Sequence, residues 1–250
     1  MNQDNKKNAK IICIIPAAGE SSRFKKGNKL FSNIAESEKV LSRTIRNFNN
    51  LKLIDEIFVG LNANNNRSIS NQFLDFKNVT TYNGGDSRQE TVFNGLNHIK
   101  KLNIDDIEDL WIIIHDAARP TIFSYDILNF IENTLKLNKP CIMAIPITDT
   151  IKKVDKNNNI ISTIPRNKMW LAQTPQMFRF GILFDSLNNC ISNKIHVTDE
   201  SQALEMLNHE CTVVKGKPYN IKITEDIDLT HAKCLANIDK HIIKEEESND

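Results

Sequence analysis

The sequence predicts an α/β protein with a mostly parallel central sheet and helices on both faces. Several short segments, such as 10–16 and 109–116, are apolar at nearly every position, and longer amphipathic stretches, such as 40–51 and 87–102, lie between them. Strands that are apolar on both faces are typical of a parallel sheet covered by helices. In sheets of this kind, ligands bind beyond the carboxyl ends of the strands.

The first part of the chain is predicted to alternate strands with helices. A serine at 124 is a favourable N-cap for the helix that follows it. In chain order, the predicted elements are a strand at 10–16, a helix at 40–51, a strand at 54–62, a short helix at 67–76, a strand at 78–84, a helix at 87–102, a strand at 109–116, a helix at 124–137 and a strand at 141–147.

The second part of the chain has a different pattern. The segment 148–173 contains short alternating strands around a polar turn at 157–159, which indicates a projecting β-hairpin arm. After the arm, we predict a helix at 199–209, strands at 211–216 and 219–224, and a closing helix at 226–244. Polar tails are expected at 1–9 and 245–250, so that 10–244 forms a single domain.

The composition narrows the classes of function. The 250 residues have a formal net charge of +1, so no overall basic field favours nucleic acid or an anionic membrane. No apolar run approaches the roughly 20 residues of a membrane span. The five cysteines include no CxxC pair, which favours thiols in a reducing compartment over disulfides or zinc. We therefore expect a cytoplasmic protein that binds neither nucleic acid nor membrane.

The stretch PAAGESSRF at 16–24 directly follows the first predicted strand. Small residues allow a backbone to approach a ligand closely, and successive N–H groups can bind phosphate. The spacing matches neither a Walker A loop nor a GxGxxG motif. A turn that enters a helix explains the small residues equally well, and the nearby cations Arg23 and Lys29 favour a phosphate loop.

Asp116 stands at the end of the most apolar predicted strand, on the side where ligands bind. A carboxylate there is suited to Mg²⁺, which takes one or two carboxylates together with substrate phosphates. The alternative is an aspartate that caps the following turn. We interpret His115 as structural, and Arg119 as an ion-pairing residue that holds the loop.

Two further segments carry residues of interest. GGDSRQETVFNGL at 84–96 places paired glycines before a helix, where backbone N–H groups and the Thr91 hydroxyl can contact a base or ribose. A glycine turn followed by a helix cap gives the same pattern. Lys222, within the predicted strand at 219–224, is unusual unless its ammonium meets an anion, and an edge-strand lysine is the alternative.

Together these motifs resemble a known family. PAAGESSRF, GGDSRQETVFNGL, HDAARP, DTIK, QTPQMF, TDES and NIKIT occur in the order and spacing of 2-C-methyl-D-erythritol 4-phosphate cytidylyltransferases, over residues 10 to 235. The resemblance implies a Rossmann-like nucleotidyltransferase fold and a homodimer held by the arm at 148–173. It also implies transfer of the cytidylyl group of CTP to methylerythritol phosphate in the non-mevalonate isoprenoid pathway, with release of pyrophosphate and with Mg²⁺ as cofactor.

The resemblance further implies roles for the positions that match the family motifs. The catalytic cations are expected to be Arg23, Lys29 and Lys222, and the metal ligand is expected to be Asp116. CTP is expected to contact Ala17, Ala18, Gly19, Gly85, Asp86 and Thr91. Substrate is expected to contact Thr150, Arg166, Thr174 and Thr198. Because Arg166 lies in the arm, we expect it to serve the active site of the partner subunit.

The chain also departs from the family motifs. Ser21 stands where a second glycine is usual, Asn28 and Leu30 flank the lysine where Pro-Lys-Gln is usual, and Tyr219 stands where an acidic residue is frequent. One alternative is therefore a catalytically silent nucleotide-binding relative, although the retained cations and Asp116 argue against it. The other is a ribitol 5-phosphate cytidylyltransferase; such enzymes often carry HDAVRP, so that the second alanine of HDAARP favours the erythritol enzyme.

Overall fold

A computed structural model gives the architecture of the protein. It describes residues 9–19, 24, 28–62 and 76–247, with side chains up to residue 236. The strands are β1 (Ile11–Pro16), β2 (Glu56–Leu61), β3 (Val79–Asn83), β4 (Trp111–Ile114), β5 (Cys141–Pro146), β6 (Ile151–Val154), β7 (Ile160–Ile164), β8 (Trp170–Arg179) and β9 (Thr212–Lys215). The α-helices are α1 (Val40–Asn49), α2 (Arg88–Lys100), α3 (Ser124–Leu137), α4 (Phe180–Ser192), α5 (Glu200–Met206) and α6 (Asp226–Glu247), and short 3₁₀ helices lie at Lys29–Phe31 and Ile107–Asp109.

Seven strands of the described chain form one sheet in the order β3-β2-β1-β4-β8-β5-β9. Neighbouring strands are parallel except at β8, which runs antiparallel to both β4 and β5. The prediction of a mostly parallel sheet is therefore confirmed. Because β1 and β4 are neighbours at the centre, their carboxyl ends lie side by side, with Ile14 in register with Ile114.

The sheet separates two hydrophobic cores, which explains why β1 is apolar at successive positions. Ile11, Cys13 and Ile15 face one core, to which α1, α3 and α6 also contribute. Ile12 and Ile14 face the other core, together with α2, α4 and α5. All five side chains are fully buried. The predicted coverage of both faces by helices is confirmed.

The predicted arm contains a separate two-stranded antiparallel sheet formed by β6 and β7. In its turn, the Asp155 carboxylate accepts hydrogen bonds from the N–H groups of Asn157 (2.8 Å) and Asn159 (2.9 Å). Asn158 adopts φ 65°, a left-handed conformation that asparagine tolerates better than most residues. The polar sequence of this turn therefore has a local structural cause.

The predicted strand at 219–224 is wrong, because this segment begins in a turn and continues as a loop outside the sheet. The apolar side chain of Ile223 is fully buried, as the alternating pattern predicted. However, the Ile221 N–H donates to the Thr121 hydroxyl (3.2 Å) and the Ile223 N–H donates to the Ala118 carbonyl oxygen (2.8 Å). Its backbone is thus held by the loop that follows β4 rather than by a neighbouring strand.

The predicted cap of α3 is also wrong. Ser124 is the first helical residue, and the N-cap position is occupied by Phe123, whose side chain makes no capping hydrogen bond. The Ser124 hydroxyl instead donates to the Asn47 carbonyl oxygen at 2.9 Å, which joins α3 to α1. The serine therefore connects two helices rather than capping one.

The sequence prediction also missed two elements after the arm, namely the part of β8 beyond residue 173 and the whole of α4. Other differences concern the ends of elements. Helix α6 continues to Glu247, beyond its predicted end at 244 and into the predicted tail. The predicted short helix at 67–76 lies outside the described residues except for Phe76, which is not helical. No helix in the described part of the chain combines the length and apolar character needed to cross a membrane.

Candidate active site

A cavity of about 160 Å³ opens at the carboxyl ends of β1 and β4, beside the N-terminus of α2. This is the edge of the sheet at which ligands bind in parallel α/β folds. The cavity brings together these predicted site residues: Ala17, Ala18, Gly19, Lys29, Gly85, Asp86, Thr91, Asp116 and Lys222.

Small residues bring two loops together at one wall of the cavity. The Ala17 N–H donates to the Gly60 carbonyl oxygen (2.7 Å), which extends the pairing of β1 with β2 into the loop. A Cβ at Gly84 would lie 2.6 Å from the Ala18 Cβ, so a larger side chain at Gly84 would push the loops apart. A Cβ at Gly19 would meet no atom of the described residues within 4 Å. None of the described residues therefore crowds the backbone at Gly19, as a phosphate-binding loop requires.

The start of α2 forms another wall. The Ser87 hydroxyl accepts from the Glu90 N–H (3.1 Å), and the Glu90 carboxylate accepts from the Asp86 N–H (2.9 Å), an arrangement close to a capping box. The Thr91 hydroxyl accepts from the Gly85 N–H (3.0 Å) and donates to the Ser87 carbonyl oxygen (2.8 Å). Thr91, which was predicted to contact cytidine, thus uses its hydroxyl to shape the glycine turn.

Lys29 lines the cavity from the first position of a 3₁₀ helix. The side chain of Asn28 accepts a hydrogen bond from the Leu30 N–H (3.0 Å), and Leu30 is buried. The departure from the family motif at Asn28 therefore has a structural role, because this side chain caps the short helix that presents Lys29.

Asp116, just beyond the end of β4, forms ion pairs with three cations. Its Oδ1 lies 2.9 Å from Arg88 Nε, and its Oδ2 lies 2.9 Å from Lys222 Nζ and 3.3 Å from Arg119 Nε. Burial raises the pKa of the Asp116 carboxyl, but the three cations more than offset this and hold the pKa well below its usual range. Asp116 is therefore an ionised carboxylate near neutral pH.

Arg88 joins Asp116 to a second buried carboxylate. Its Nη1 and Nη2 donate to Oε1 (2.7 Å) and Oε2 (3.0 Å) of Glu200, which is the first residue of α5 and is buried. Burial raises the pKa of Glu200, and the charge of Arg88 counters part of that rise. Three cations with two carboxylates leave the cluster positively charged, which suits an anionic ligand.

Sequence reasoning missed both Arg88 and Glu200. The available signal was an arginine beside the predicted ligand-binding edge, at the first position of a helix that follows paired glycines. Glu200 lies in the quoted motif TDES, but nothing in that motif indicates that its side chain is buried beneath the cavity.

A hydrogen-bonded chain lies behind Asp116. The Asp116 N–H donates to Thr174 Oγ1 (3.0 Å), and that hydroxyl lies 3.1 Å from His115 Nδ1. His115 Nε2 lies 3.1 Å from the Arg119 carbonyl oxygen, which can only accept, so Nε2 carries the proton and Nδ1 accepts from Thr174. Burial lowers the pKa of His115 to about 3, which keeps the ring neutral. The Thr174 hydroxyl thus links His115 to the Asp116 backbone, and the substrate contact expected of Thr174 stays a prediction.

Arg119 holds the loop that carries Lys222, in agreement with the ion-pairing role predicted for it. Besides its ion pair with Asp116, Arg119 donates from Nη1 to the Asn220 carbonyl oxygen (2.7 Å). The Asn220 side chain in turn donates to the Thr174 carbonyl oxygen (2.8 Å). These contacts fix the backbone next to Lys222, whose side chain remains 39% exposed at the edge of the cavity.

Besides Thr174, three predicted residues of the described chain do not line the cavity. Thr150 and Arg166 are exposed, near the beginning and the end of the hairpin arm. Thr198 is also exposed, and its hydroxyl donates to Gln202 Oε1 (3.1 Å) at the start of α5. Arg23 lies outside the described residues.

Comparison with known proteins assigns the family. The family described as "IspD: 2-C-methyl-D-erythritol 4-phosphate cytidylyltransferase" matches residues 11–237. The chain belongs to this family. A 2-C-methyl-D-erythritol 4-phosphate cytidylyltransferase from Acinetobacter baumannii (strain AYE) is 34% identical over 227 residues, which cover 90% of this chain and 93% of that one. One from Prochlorococcus marinus is 35% identical over 224 residues, which cover 89% and 97%.

Solved structures agree. The crystal structure of the Francisella tularensis 2-C-methyl-D-erythritol 4-phosphate cytidylyltransferase superposes with a TM-score of 0.76 at 34% identity, covering 91% of this chain and all of that one. A 4-diphosphocytidyl-2C-methyl-D-erythritol synthase superposes with a TM-score of 0.78 at 28% identity. The nucleotidyltransferase fold implied by the resemblance is therefore confirmed.

The residues around Asp116 fit a Mg²⁺ ion that arrives with a nucleotide. Among the described residues, no three His, Cys, Asp or Glu side chains converge as a ready metal site. Both Asp116 oxygens form ion pairs with cations. Lys222 is partly exposed and borders the cavity, so a bound phosphate would compete with Asp116 for its ammonium. One carboxylate together with phosphate oxygens is a usual ligand set for Mg²⁺. A Mg²⁺ ion held here would therefore take one ligand, Asp116, from the protein and its other ligands from the nucleotide and water.

Proposed function

We propose that the protein transfers the cytidylyl group of CTP to 2-C-methyl-D-erythritol 4-phosphate. The products are 4-diphosphocytidyl-2-C-methyl-D-erythritol and pyrophosphate, and the reaction belongs to the non-mevalonate isoprenoid pathway. The observation that carries this proposal is the positive cavity, in which Lys29, Lys222 and Arg88 face a wall built of small residues and backbone. Such a site suits a nucleoside triphosphate, and the family supplies the identity of the base and of the acceptor.

In this proposal, CTP lies across the carboxyl ends of β1 and β4. The loop of Ala17, Ala18 and Gly19 approaches the phosphates, because its backbone borders the cavity and no described residue crowds Gly19. The glycine turn at Gly85 and Asp86 faces the base. Polar groups arranged around the cytosine amino group would be left unpaired by uracil, and this is the expected source of discrimination against UTP.

The chemical step is an in-line attack by a phosphate oxygen of methylerythritol phosphate on the α-phosphorus of CTP, with pyrophosphate as the leaving group. A phosphate monoester is already an anionic nucleophile, so the reaction needs no general base. The neutral, buried His115 is consistent with a reaction that has no general base, because both of its ring nitrogens are hydrogen-bonded to other groups of the protein. Catalysis is then positioning together with electrostatic stabilisation by Lys29, Lys222 and Arg23.

Mg²⁺ is the proposed cofactor, with Asp116 as its protein ligand. When bound, the ion would neutralise charge on the phosphates of CTP. Arg88 and Arg119 would hold the carboxylate in place on either side, since each contacts a different Asp116 oxygen. Lys222 would then direct its ammonium to the nucleotide rather than to Asp116.

We further propose a homodimer in which the arm reaches the partner subunit. The arm and the adjoining start of β8 expose large apolar side chains that a monomer would leave in water: Val154, Ile160, Ile161, Met169, Trp170 and Leu171. An exposed apolar surface of this kind is typical of a protein interface. The exposed Arg166 lies on the same arm, which supports its assignment to the partner subunit's site, and the exposed Thr150 at the start of the arm would accompany it.

The test is pyrophosphate release from CTP and Mg²⁺, with methylerythritol phosphate and ribitol 5-phosphate assayed in parallel. We expect release with methylerythritol phosphate and little with ribitol 5-phosphate. Release with ribitol 5-phosphate alone would retain the chemistry and change the acceptor. Release with neither acceptor would support a silent nucleotide-binding relative, and omission of Mg²⁺ from the active mixture tests the cofactor separately.

A further inference from the structure

Tyr219 lies in a turn that is bound to the start of α3. Its hydroxyl donates to Asp126 Oδ2 at 2.6 Å, and Asp126 is almost fully buried in the first turn of α3. Lys217 approaches the other oxygen of the same carboxylate at 3.5 Å. One buried carboxylate of α3 therefore contacts two side chains of the turn at 217–220.

The direction of these hydrogen bonds follows from the number of protons. The Tyr219 hydroxyl has one proton, which it gives to the Asp126 carboxylate. The Tyr125 hydroxyl, 3.0 Å from that of Tyr219, must then act as the donor to it. The ring of Phe123 packs against the Tyr219 ring with centroids 5.0 Å apart. Tyr219 is thus fixed through both its ring and its hydroxyl.

The same turn leads directly to Lys222. Residues on each side of the lysine are anchored by the backbone, because the Ile221 N–H donates to the Thr121 hydroxyl and the Ile223 N–H donates to the Ala118 carbonyl oxygen. Upstream, the Asn220 side chain donates to the Thr174 carbonyl oxygen. Directly before Asn220, the hydrogen bond of the Tyr219 hydroxyl to Asp126 holds the loop as well. It ties this loop to α3, whereas the other anchors tie it to β8 and to the loop after β4.

We propose that Tyr219 and Asp126 are positioning residues that hold the 217–224 loop so that the Lys222 ammonium reaches the nucleotide phosphates. This inference rests on the proposed cytidylyl transfer. Neither residue is among those that line the cavity, so neither is placed to touch the substrate. Their effect on the reaction passes through the loop to Lys222, which does line the cavity.

The test compares Tyr219→Phe with Tyr125→Phe in pyrophosphate release. Each substitution removes one hydroxyl from the same aromatic cluster, but only the first removes the bond to Asp126. We expect Tyr219→Phe to lower kcat about tenfold with little change in KM for CTP, because a hydrogen bond to a charged group fixes the loop. We expect Tyr125→Phe to stay within about twofold of the parent protein.

Two further measurements separate positioning from a general structural role. In a Lys222→Ala background, Tyr219→Phe should cause no further loss of kcat, because its effect acts through the lysine. Hydrogen exchange of the 217–224 peptide should be faster in Tyr219→Phe, with the peptides of β1 and β4 unchanged. If Lys222→Ala has too little activity to measure, the exchange experiment decides.

Several results would overturn the proposal: a Tyr219→Phe enzyme within twofold of the parent, an equal loss in the Lys222→Ala background, or unchanged exchange at 217–224. The parent protein serves as the control for the function itself. A parent without activity rejects the proposed cytidylyl transfer, whereas an active parent with an equally active Tyr219→Phe rejects only the role of Tyr219.

Discussion

The Lys222 ammonium lies 2.9 Å from the Asp116 carboxylate, and the two residues belong to different loops at the carboxyl edge of the sheet. The pair keeps a cation at the edge of the cavity before any nucleotide is present. Because Asp116 is also paired with Arg88 and Arg119, it would retain two cations if Lys222 turned to a phosphate. In the proposed reaction, the lysine would thus move to the nucleotide without leaving a buried carboxylate unpaired.

Replacing Lys29 should remove a major part of the electrostatic catalysis. We expect Lys29→Ala to lower kcat at least about a hundredfold, which corresponds to about 3 kcal/mol, because its charge faces the site where negative charge develops. Lys139→Ala is the matched control, since Lys139 forms an exposed ion pair with Glu210 and lies outside the cavity lining. Steady-state pyrophosphate release measures both. Near-normal turnover of Lys29→Ala would contradict the assignment.

Replacing Arg88 should destabilise the protein through the carboxylate that it leaves behind. Arg88→Met leaves the buried Glu200 without its partner, and we expect a loss of about 3–5 kcal/mol in the free energy of unfolding. The double variant Arg88→Met/Glu200→Met removes both charges and should recover most of that stability. Urea unfolding of the single and double variants measures the difference.

The same double variant should not recover activity. Arg88 also holds Asp116 Oδ1 and lines the cavity, and the second substitution restores neither function. We expect pyrophosphate release to stay at least about tenfold below that of the parent, because a charge-assisted hydrogen bond to Asp116 is lost. Full activity in a stable double variant would show that Arg88 serves only to neutralise Glu200.

Much of the fold follows from the sequence because the pattern of β1 and β4 has a single physical explanation. A run such as Ile11–Pro16 is apolar on both faces only where helices cover both sides of the sheet. The same pattern-based reasoning wrongly predicted a strand at 219–224. Its alternating side chains match a strand, but its N–H groups donate to loop oxygens, and this depends on the loop after β4 rather than on local sequence.

Sequence reasoning found cavity-lining residues where a single motif borders the cavity, and it missed residues that come together from distant segments. Asp116 and Lys29 stand out because a charge follows an apolar strand or a small-residue loop. The bidentate pair of Arg88 with Glu200 joins residues 112 positions apart, and these residues meet only because the fold brings the first residue of α5 to the first residue of α2. Thr174 was predicted to belong to the site, and in the structure its hydroxyl accepts a hydrogen bond from the Asp116 N–H.

Stability should decrease on mild acidification because of His115. Its pKa is lowered to about 3 in the folded protein, whereas the usual value is 6.5. Between these values the unfolded chain binds a proton that the folded protein does not, so stability rises with pH in this window and is lost as the pH falls below about 6.5. From pH 7 to pH 5 the loss due to this residue should be about 2 kcal/mol.

His115→Gln tests this directly, because glutamine has no titratable group. The variant will be less stable at pH 7, and the informative quantity is the change in unfolding free energy between pH 7 and pH 5. We expect that change to be smaller in His115→Gln than in the parent by about 2 kcal/mol, measured by urea unfolding without nucleotide or metal. Equal changes would show that the ring is protonated in the folded protein within this range.

A charge on the arm should disrupt the proposed homodimer. Ile160 and Ile161 are 66% and 59% exposed on β7, so a substitution there does not disturb the core of the described subunit. If these side chains are covered by a partner, Ile161→Glu places an unpaired carboxylate in an apolar interface and should shift the protein from dimer to monomer. Light scattering coupled to size-exclusion chromatography measures the mass of each variant.

The same substitution connects the arm to the reaction. If Arg166 and Thr150 complete the partner subunit's site, the monomeric variant should lose activity while its thermal unfolding stays close to that of the parent. Leu137→Glu, which adds the same charge at an exposed leucine at the end of α3, should stay dimeric and active. A parent that is monomeric at assay concentrations and fully active would reject both the dimer and the role of Arg166 across subunits. A monomeric but active Ile161→Glu would retain the dimer and confine the active site to one subunit.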